Sequence, residues 1–263
     1  MPDAFTVKVL LSFIVAGIWI TLATVLSERF GTKIGGMLGN LPSNILVSLL
    51  FMGWTQGAVF AAEAAKVGPL AMIIDTVFLF IYIVALQKYG KFAPLIALAA
   101  WFILALPVGM AGFNDLYVGI AGYAVVVIVA FYFLERRMSI PSMKKKKTSY
   151  SISELALRAI ISGGIVSGAV VLAAIGGPVW GGLFSAFPAV MLSTMYLLTR
   201  AQGSGFAQAT GKVMVPASAN IVVFCLAVYF TYPIYGLIAG TVISYLAALA
   251  FVALLYPLMR KVA

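Results

Sequence analysis

Residues 35–67 read GGMLGNLPSNILVSLLFMGWTQGAVFAAEAAKV, and residues 181–213 read GGLFSAFPAVMLSTMYLLTRAQGSGFAQATGKV. Aligned without a gap, an offset of 146 residues, the two share Gly35/Gly181, Gly36/Gly182, Pro42/Pro188, Leu46/Leu192, Gln56/Gln202, Gly57/Gly203, Phe60/Phe206, Ala61/Ala207, Lys66/Lys212 and Val67/Val213. Glycine, proline, glutamine and lysine do not align through apolar composition alone, so the pattern points to an internal duplication. A one-residue slip further on also brings Pro69 onto Pro216.

Around this core the chain is apolar: 63% of its 263 residues are hydrophobic and 9% charged, against about 25% charged in a soluble domain. Windows such as Val7 to Val25, Leu70 to Leu86 and Tyr117 to Leu134 approach the ~20 apolar residues that cross a bilayer core. Hydropathy and punctuation together predict an all-α integral membrane protein of about nine transmembrane helices, at 7–27, 35–56, 69–88, 92–112, 116–134, 155–175, 180–200, 208–230 and 232–257. The first stretch lacks a basic flank and has full spanning length, so it reads as a retained helix rather than a cleaved signal.

Fifteen of the 17 basic residues fall beside the odd loops: Arg29, Lys33, Lys88, Lys91, Arg136, Arg137, Lys144 to Lys147, Arg158, Arg200, Lys212, Arg260 and Lys261. Only Lys8 and Lys66 fall on the other side. Because positive charge stays cytoplasmic, the expected topology in the cytoplasmic membrane is N-terminus outside and C-terminus inside. The net charge of +10 then reports orientation, and with no aromatic-interleaved basic patch no nucleic-acid partner is expected.

Two four-helix repeats, 1–113 and 154–263, flank a connector helix with a basic linker at 114–153. Five spans separate equivalent points, and an odd number turns one repeat upside down relative to the other, as in many secondary transporters. The second helix of each repeat is interrupted, at Gly35 to Pro42 and at Gly181 to Pro188. Glycine loosens a helix, and proline suits the first turn of a new one. Unwound backbone inside a bilayer needs protein or a water-filled cavity to satisfy it, so the breaks define a candidate binding site. Its residues are Asn40, Pro42, Ser43 and Asn44 in one repeat, and Ser185, Pro188, Ser193, Thr194 and Asn220 in the other.

Of the seven acidic residues only Asp75 lies within a span. Intramembrane carboxylates cost about 2.5–3.5 kcal/mol on insertion scales and serve ion or proton pathways, so Asp75 is the candidate coupling group, with Asn220 its rough neutral counterpart. Gln56, Gln202, Lys66 and Lys212, near the ends of the interrupted helices, are weaker candidates for gates. The four tryptophans, Trp19, Trp54, Trp101 and Trp180, read as interfacial or packing aromatics.

The motif Gly-Gly, apolar residues, Phe-Pro and an apolar helix, from Gly181 to Leu192, resembles the GlpM-like family of small four-span membrane proteins. The resemblance covers about Leu155 to Tyr256 and, more weakly, the first half. It implies a fused, inverted duplicate of a unit that otherwise pairs with a second copy.

With no His and one Cys, a zinc cluster and imidazole chemistry are excluded, and no phosphate loop, HExxH or GxSxG is present. No enzyme activity, cofactor or metal is therefore expected. The function expected is a small secondary transporter moving a small polar or anionic solute by alternating access, coupled to a proton or sodium ion. The partners expected are membrane lipids and the solute or ion itself, with a homo-oligomer left open. The alternatives are a membrane scaffold for an envelope or lipid pathway, and an ion channel.

Overall fold

The computed structural model describes residues 3–27, 41–141 and 152–262. All regular structure among them is helical. The helices are α1 (Ala4–Ser27), α2 (Ser43–Gln56), α3 (Ala58–Lys66), α4 (Gly68–Tyr89), α5 (Ala93–Ala111) and α6 (Leu116–Tyr132), the last followed by a π-helical turn, Phe133–Arg137. After the linker come α7 (Ile152–Gly176), α8 (Pro178–Ser185), α9 (Ala189–Gln202), α10 (Ser204–Ala217) and α11 (Ala219–Val262).

Among the described residues six stretches are long and apolar enough to cross a membrane: Ala4–Ala23, Gly68–Ala111, Leu116–Arg137, Leu155–Gly176, Pro178–Gln202 and Ser204–Leu255. Several apolar helices of this kind suggest a multi-pass membrane protein. Two of the stretches, of 44 and 52 residues, would be more than twice as long as the ~30 Å hydrocarbon core if straight.

Both fold back. Gly90 (φ 48°, ψ −112°) separates α4 from α5, which pack against each other. Within α11, Gly236 adopts φ 72°, ψ −175°. Tyr232 Oη lies 2.7 Å from Thr241 Oγ1, and Thr231 Oγ1 lies 3.0 Å from Ser244 Oγ. Residues nine and thirteen apart would be about 13 and 19 Å apart along a straight helix, so these bonds require a hairpin at Gly236.

The same device recurs at Gly57 (φ 101°, ψ 156°), Gly177 (φ 83°, ψ −175°) and Gly203 (φ 92°, ψ 165°). These conformations belong to a region of backbone space that is essentially closed to other residues. Each glycine sits between two helices that pack against one another. By contrast α3 passes into α4 at Val67, and α10 into α11 at Ser218, through right-handed helical angles. Residues 58–89 and 204–235 are therefore two long, bent helices.

Two antiparallel contacts organise the bundle. Along α1 and α7, a Cβ on Gly17 would meet the Ala159 carbonyl oxygen at 2.8 Å, and one on Gly163 would meet that of Phe13 at 2.5 Å. Later residues of one helix thus face earlier residues of the other, and small residues let the backbones approach. In the second contact Gly68 lies on the Cys225 side chain, Gly211 lies on Ile83, and Gln208 Nε2 donates to the Ile83 carbonyl at 2.9 Å. These pairs bracket Asp75 on one bent helix and Asn220 on the other.

Candidate functional site

The break before Pro188 is present: α8 ends at Ser185, and α9 begins only at Ala189. At the matching place α2 begins at Ser43, directly after Pro42, while Gly35 to Asn40 lie outside the described residues. Pro42 (φ −72°, ψ 47°) and Pro188 (φ −75°, ψ 44°) have nearly the same backbone. Each is the centre of a turn of the inverse-γ kind, with Ser43 N–H donating to Leu41 O at 2.6 Å and Ala189 N–H to Phe187 O at 2.7 Å. Each helix then takes its first bond on the proline carbonyl, from Leu46 at 2.9 Å and from Leu192 at 2.8 Å.

Asn44 joins the two breaks. Its Nδ2 donates to the carbonyls of Ser185 and Phe187, both at 3.0 Å, which satisfies the Ser185 carbonyl that the interruption of α8 and α9 leaves open and adds a second bond to the Phe187 carbonyl that accepts the Ala189 N–H. Pro42, Ser43, Asn44, Asp75, Ser185 and Pro188, all singled out from the sequence, line one cavity of about 30 Å³. Met72, Phe187, Met191 and Ile221 complete much of its wall. It has room for one or two waters, given the ~10–15 Å³ that a water centre needs. Two helix N-termini, each carrying about half a positive charge, therefore converge on a wall that also holds a carboxylate.

Asp75 is 2% exposed, and its Oδ1 accepts the Trp101 indole N–H at 2.8 Å. Trp101 in turn stands edge-on to Phe184 and Phe187, at centroid distances of 5.6 and 4.9 Å. Reading Trp101 as a packing aromatic therefore missed its second role, as the donor that orients the acid. An indole in an apolar run gives no sign of which it is.

Other candidates lie farther from the wall. Asn220 is fully buried beside Ile221 in the chain, donating to Ala217 O at 2.8 Å. The Ser185 hydroxyl is used on Gly182 O at 2.7 Å, so Ser185 serves the site through its carbonyl. Ser193 bonds within its own helix at 3.2 Å, and Thr194 is buried one turn beyond the cavity-lining Val190. Gln56 and Gln202 end α2 and α9, each half-buried.

The two lysines at equivalent positions differ. Lys66 lies 3.9 Å from Glu63 at a part-exposed position. Lys212 is buried, 2.8 Å from Glu135 and 2.6 Å from the Ile140 carbonyl. It is a tie between α10 and the end of the connector, a role that spacing alone did not reveal. Among the described residues no three acidic or cysteine side chains gather into a metal-holding group.

Residues 9–111 match the model of a family described as a protein of unknown function (DUF3147). The match covers α1 to α5 and does not reach Gly181 to Leu192, where the GlpM-like motif was read. No curated protein and no solved structure is similar enough to the chain to match.

Proposed function

We propose that this chain is a small secondary transporter, built from two inverted repeats, that carries a small anion by alternating access with a proton or sodium ion as its coupling partner. The observation that carries the reading is the convergence of two matched helix starts, Ser43 and Ala189, on one cavity with Asp75 in its wall.

Several features support the inverted repeat. The helices that correspond at the 146-residue offset, α1 with α7 and 58–89 with 204–235, pack antiparallel, as two units of opposite orientation require. The fold-back glycines Gly57 and Gly90 correspond to Gly203 and Gly236, and Tyr89-Gly90 matches Tyr235-Gly236 in sequence. The family match at 9–111 nearly coincides with the first repeat at 1–113. Among the described residues, counting each folded stretch as two crossings turns six into eight, and α2 (Ser43–Gln56) would belong to the ninth. The charge asymmetry supports an N-terminus outside and a C-terminus in the cytoplasm.

Charge arithmetic gives the mechanism. Two helix N-termini contribute about one positive charge together, and an ionised Asp75 contributes one negative charge. The site is then near neutral and attracts an anion weakly. When a cation neutralises Asp75, the helix ends face the cavity uncompensated and an anion completes the site. Cation and anion thus bind as a pair, which is the thermodynamic basis of coupling. The small cavity suits a cargo of inorganic-ion size, well below the ~300–1,000 Å³ of metabolite pockets.

Proteoliposomes test this with chloride, nitrate, phosphate and formate as candidate cargoes under an imposed sodium or pH gradient. The wild type is expected to accumulate at least one anion. Asp75→Asn keeps the helix ends but removes the group that a cation neutralises, so it is expected to exchange that anion without responding to the gradient. A folded wild-type protein that moves no anion under either gradient would overturn the reading.

A further inference from the structure

Resting on that reading, we propose that the coupling cation is a bare alkali ion, sodium, held between the Asp75 carboxylate and the side-chain oxygen of Asn44. Asn44 is about nine-tenths buried and lines the same cavity as Asp75. Its two amide hydrogens point at the carbonyls of Ser185 and Phe187. Turning the amide over would set Oδ1 against two carbonyl oxygens, so the hydrogen-bond chemistry fixes which end is which. Among the described residues Oδ1 is left as a buried acceptor with no hydrogen-bond partner.

Four nearby donors are already committed. The Trp101 N–H is on Asp75, the Ser185 hydroxyl on Gly182 O, and the backbone N–H groups of Ser43 and Ala189 on Leu41 O and Phe187 O. A buried oxygen without a donor, on the wall of a small cavity shared with a carboxylate, is matched by a cation that accepts oxygen ligands. Hard cations take carboxylate and carbonyl oxygens. One negative charge and neutral oxygens suit a monovalent ion, whereas a divalent ion draws on several carboxylates. Asn220, next in the chain to Ile221 of the wall, holds a second buried oxygen without a partner among the described residues. It lies between Gly211 and Cys225, which touch Ile83 and Gly68 of the other bent helix. A proton on Asp75 would need neither the cavity nor these spare oxygens.

The test measures binding alone, so it stands apart from transport. Full-length protein in detergent is titrated with sodium chloride against choline chloride, at constant chloride, pH and ionic strength. Thermal unfolding and tryptophan emission are followed, with Trp101 reporting through its bond to Asp75. The expected result is a saturable rise in melting temperature and a change in emission with sodium that choline does not produce. Asp75→Asn should abolish both, and Asn44→Ala should raise the half-saturating sodium concentration at least tenfold. A wild type that responds equally to choline, or to pH alone, overturns the sodium assignment without use of any variant. Anion uptake driven by a pH gradient would then leave the transport reading standing, whereas a sodium response without uptake under any gradient would leave only the binding site.

Discussion

The backbones of the two interrupted helices agree closely and their side chains do not. Pro42 and Pro188 share one turn, α2 and α9 have the same length at the 146-residue offset, and Gly57 and Gly203 end them in the same glycine-only conformation. Yet Asn44 corresponds to Val190, the acid Asp75 has no acidic counterpart near Asn220, and the part-exposed Lys66 corresponds to the buried Lys212. On the proposed transporter reading, the backbone shared by the two segments would make the shape of the site, and the chemistry present in only one of them would make it selective. A site built from two equal halves would hold two carboxylates or none, and a single carboxylate would allow one coupling charge.

The largest expected effect tests the asymmetry at the lysines. Removing Lys212 leaves the Ile140 carbonyl unpaired and Glu135 without its cation. Because the Glu135 side chain keeps 29% exposure, water recovers part of the loss, and Lys212→Met is expected to destabilise by about 2 kcal/mol. Lys66→Met removes an exposed i,i+3 contact at 3.9 Å, worth less than about 0.5 kcal/mol. Equal losses in detergent melting would show that the buried tie is no stronger than its surface counterpart.

The next effect tests the symmetry. Gly57→Ala and Gly203→Ala each force a Cβ into backbone angles that side chains avoid, although nothing crowds either position within 4 Å. The cost is therefore conformational alone, about 1–2 kcal/mol at each site, and should be the same at both to within about 0.5 kcal/mol. A large inequality would mean that the two hairpins are held by different forces despite their shared angles.

Legibility follows the same division. Features set by the backbone's own chemistry could be read from the sequence, because only glycine takes the folded-back conformation and only proline lacks the N–H that a helix interior uses. Asp75 was legible since a carboxylate in an apolar run has few explanations. What escaped depends on distant partners: Lys212 with Glu135 across 77 residues, Asn44 with Ser185 across 141, and Trp101 with Asp75. Nothing local in those residues announces the partner. Tyr89-Gly90 and Tyr235-Gly236 were within reach of the same alignment, but the conserved pair falls beyond the slip at Pro69 and Pro216, where the register is lost and later regained.

The smallest expected effect asks what the shared framework is for. Ser48 and Thr194 correspond at the 146-residue offset and are buried, and among the described residues neither hydroxyl has a hydrogen-bond partner. Each stands one turn beyond a residue of the cavity wall, Asn44 or Val190. A buried hydroxyl left unsatisfied costs about 1–3 kcal/mol, so Ser48→Ala and Thr194→Val should each be neutral or stabilising by up to about 1 kcal/mol. If the hydroxyls are idle, anion uptake is unchanged as well. If alternating access brings each of them to the permeant ion in one of the two open states, stability holds or rises while uptake falls. The loss should then be in the rate of net transport rather than in sodium binding to this conformation. Such a split, found for both residues, would support an internal duplication that keeps a destabilising polar group at equivalent points because each half uses it in turn.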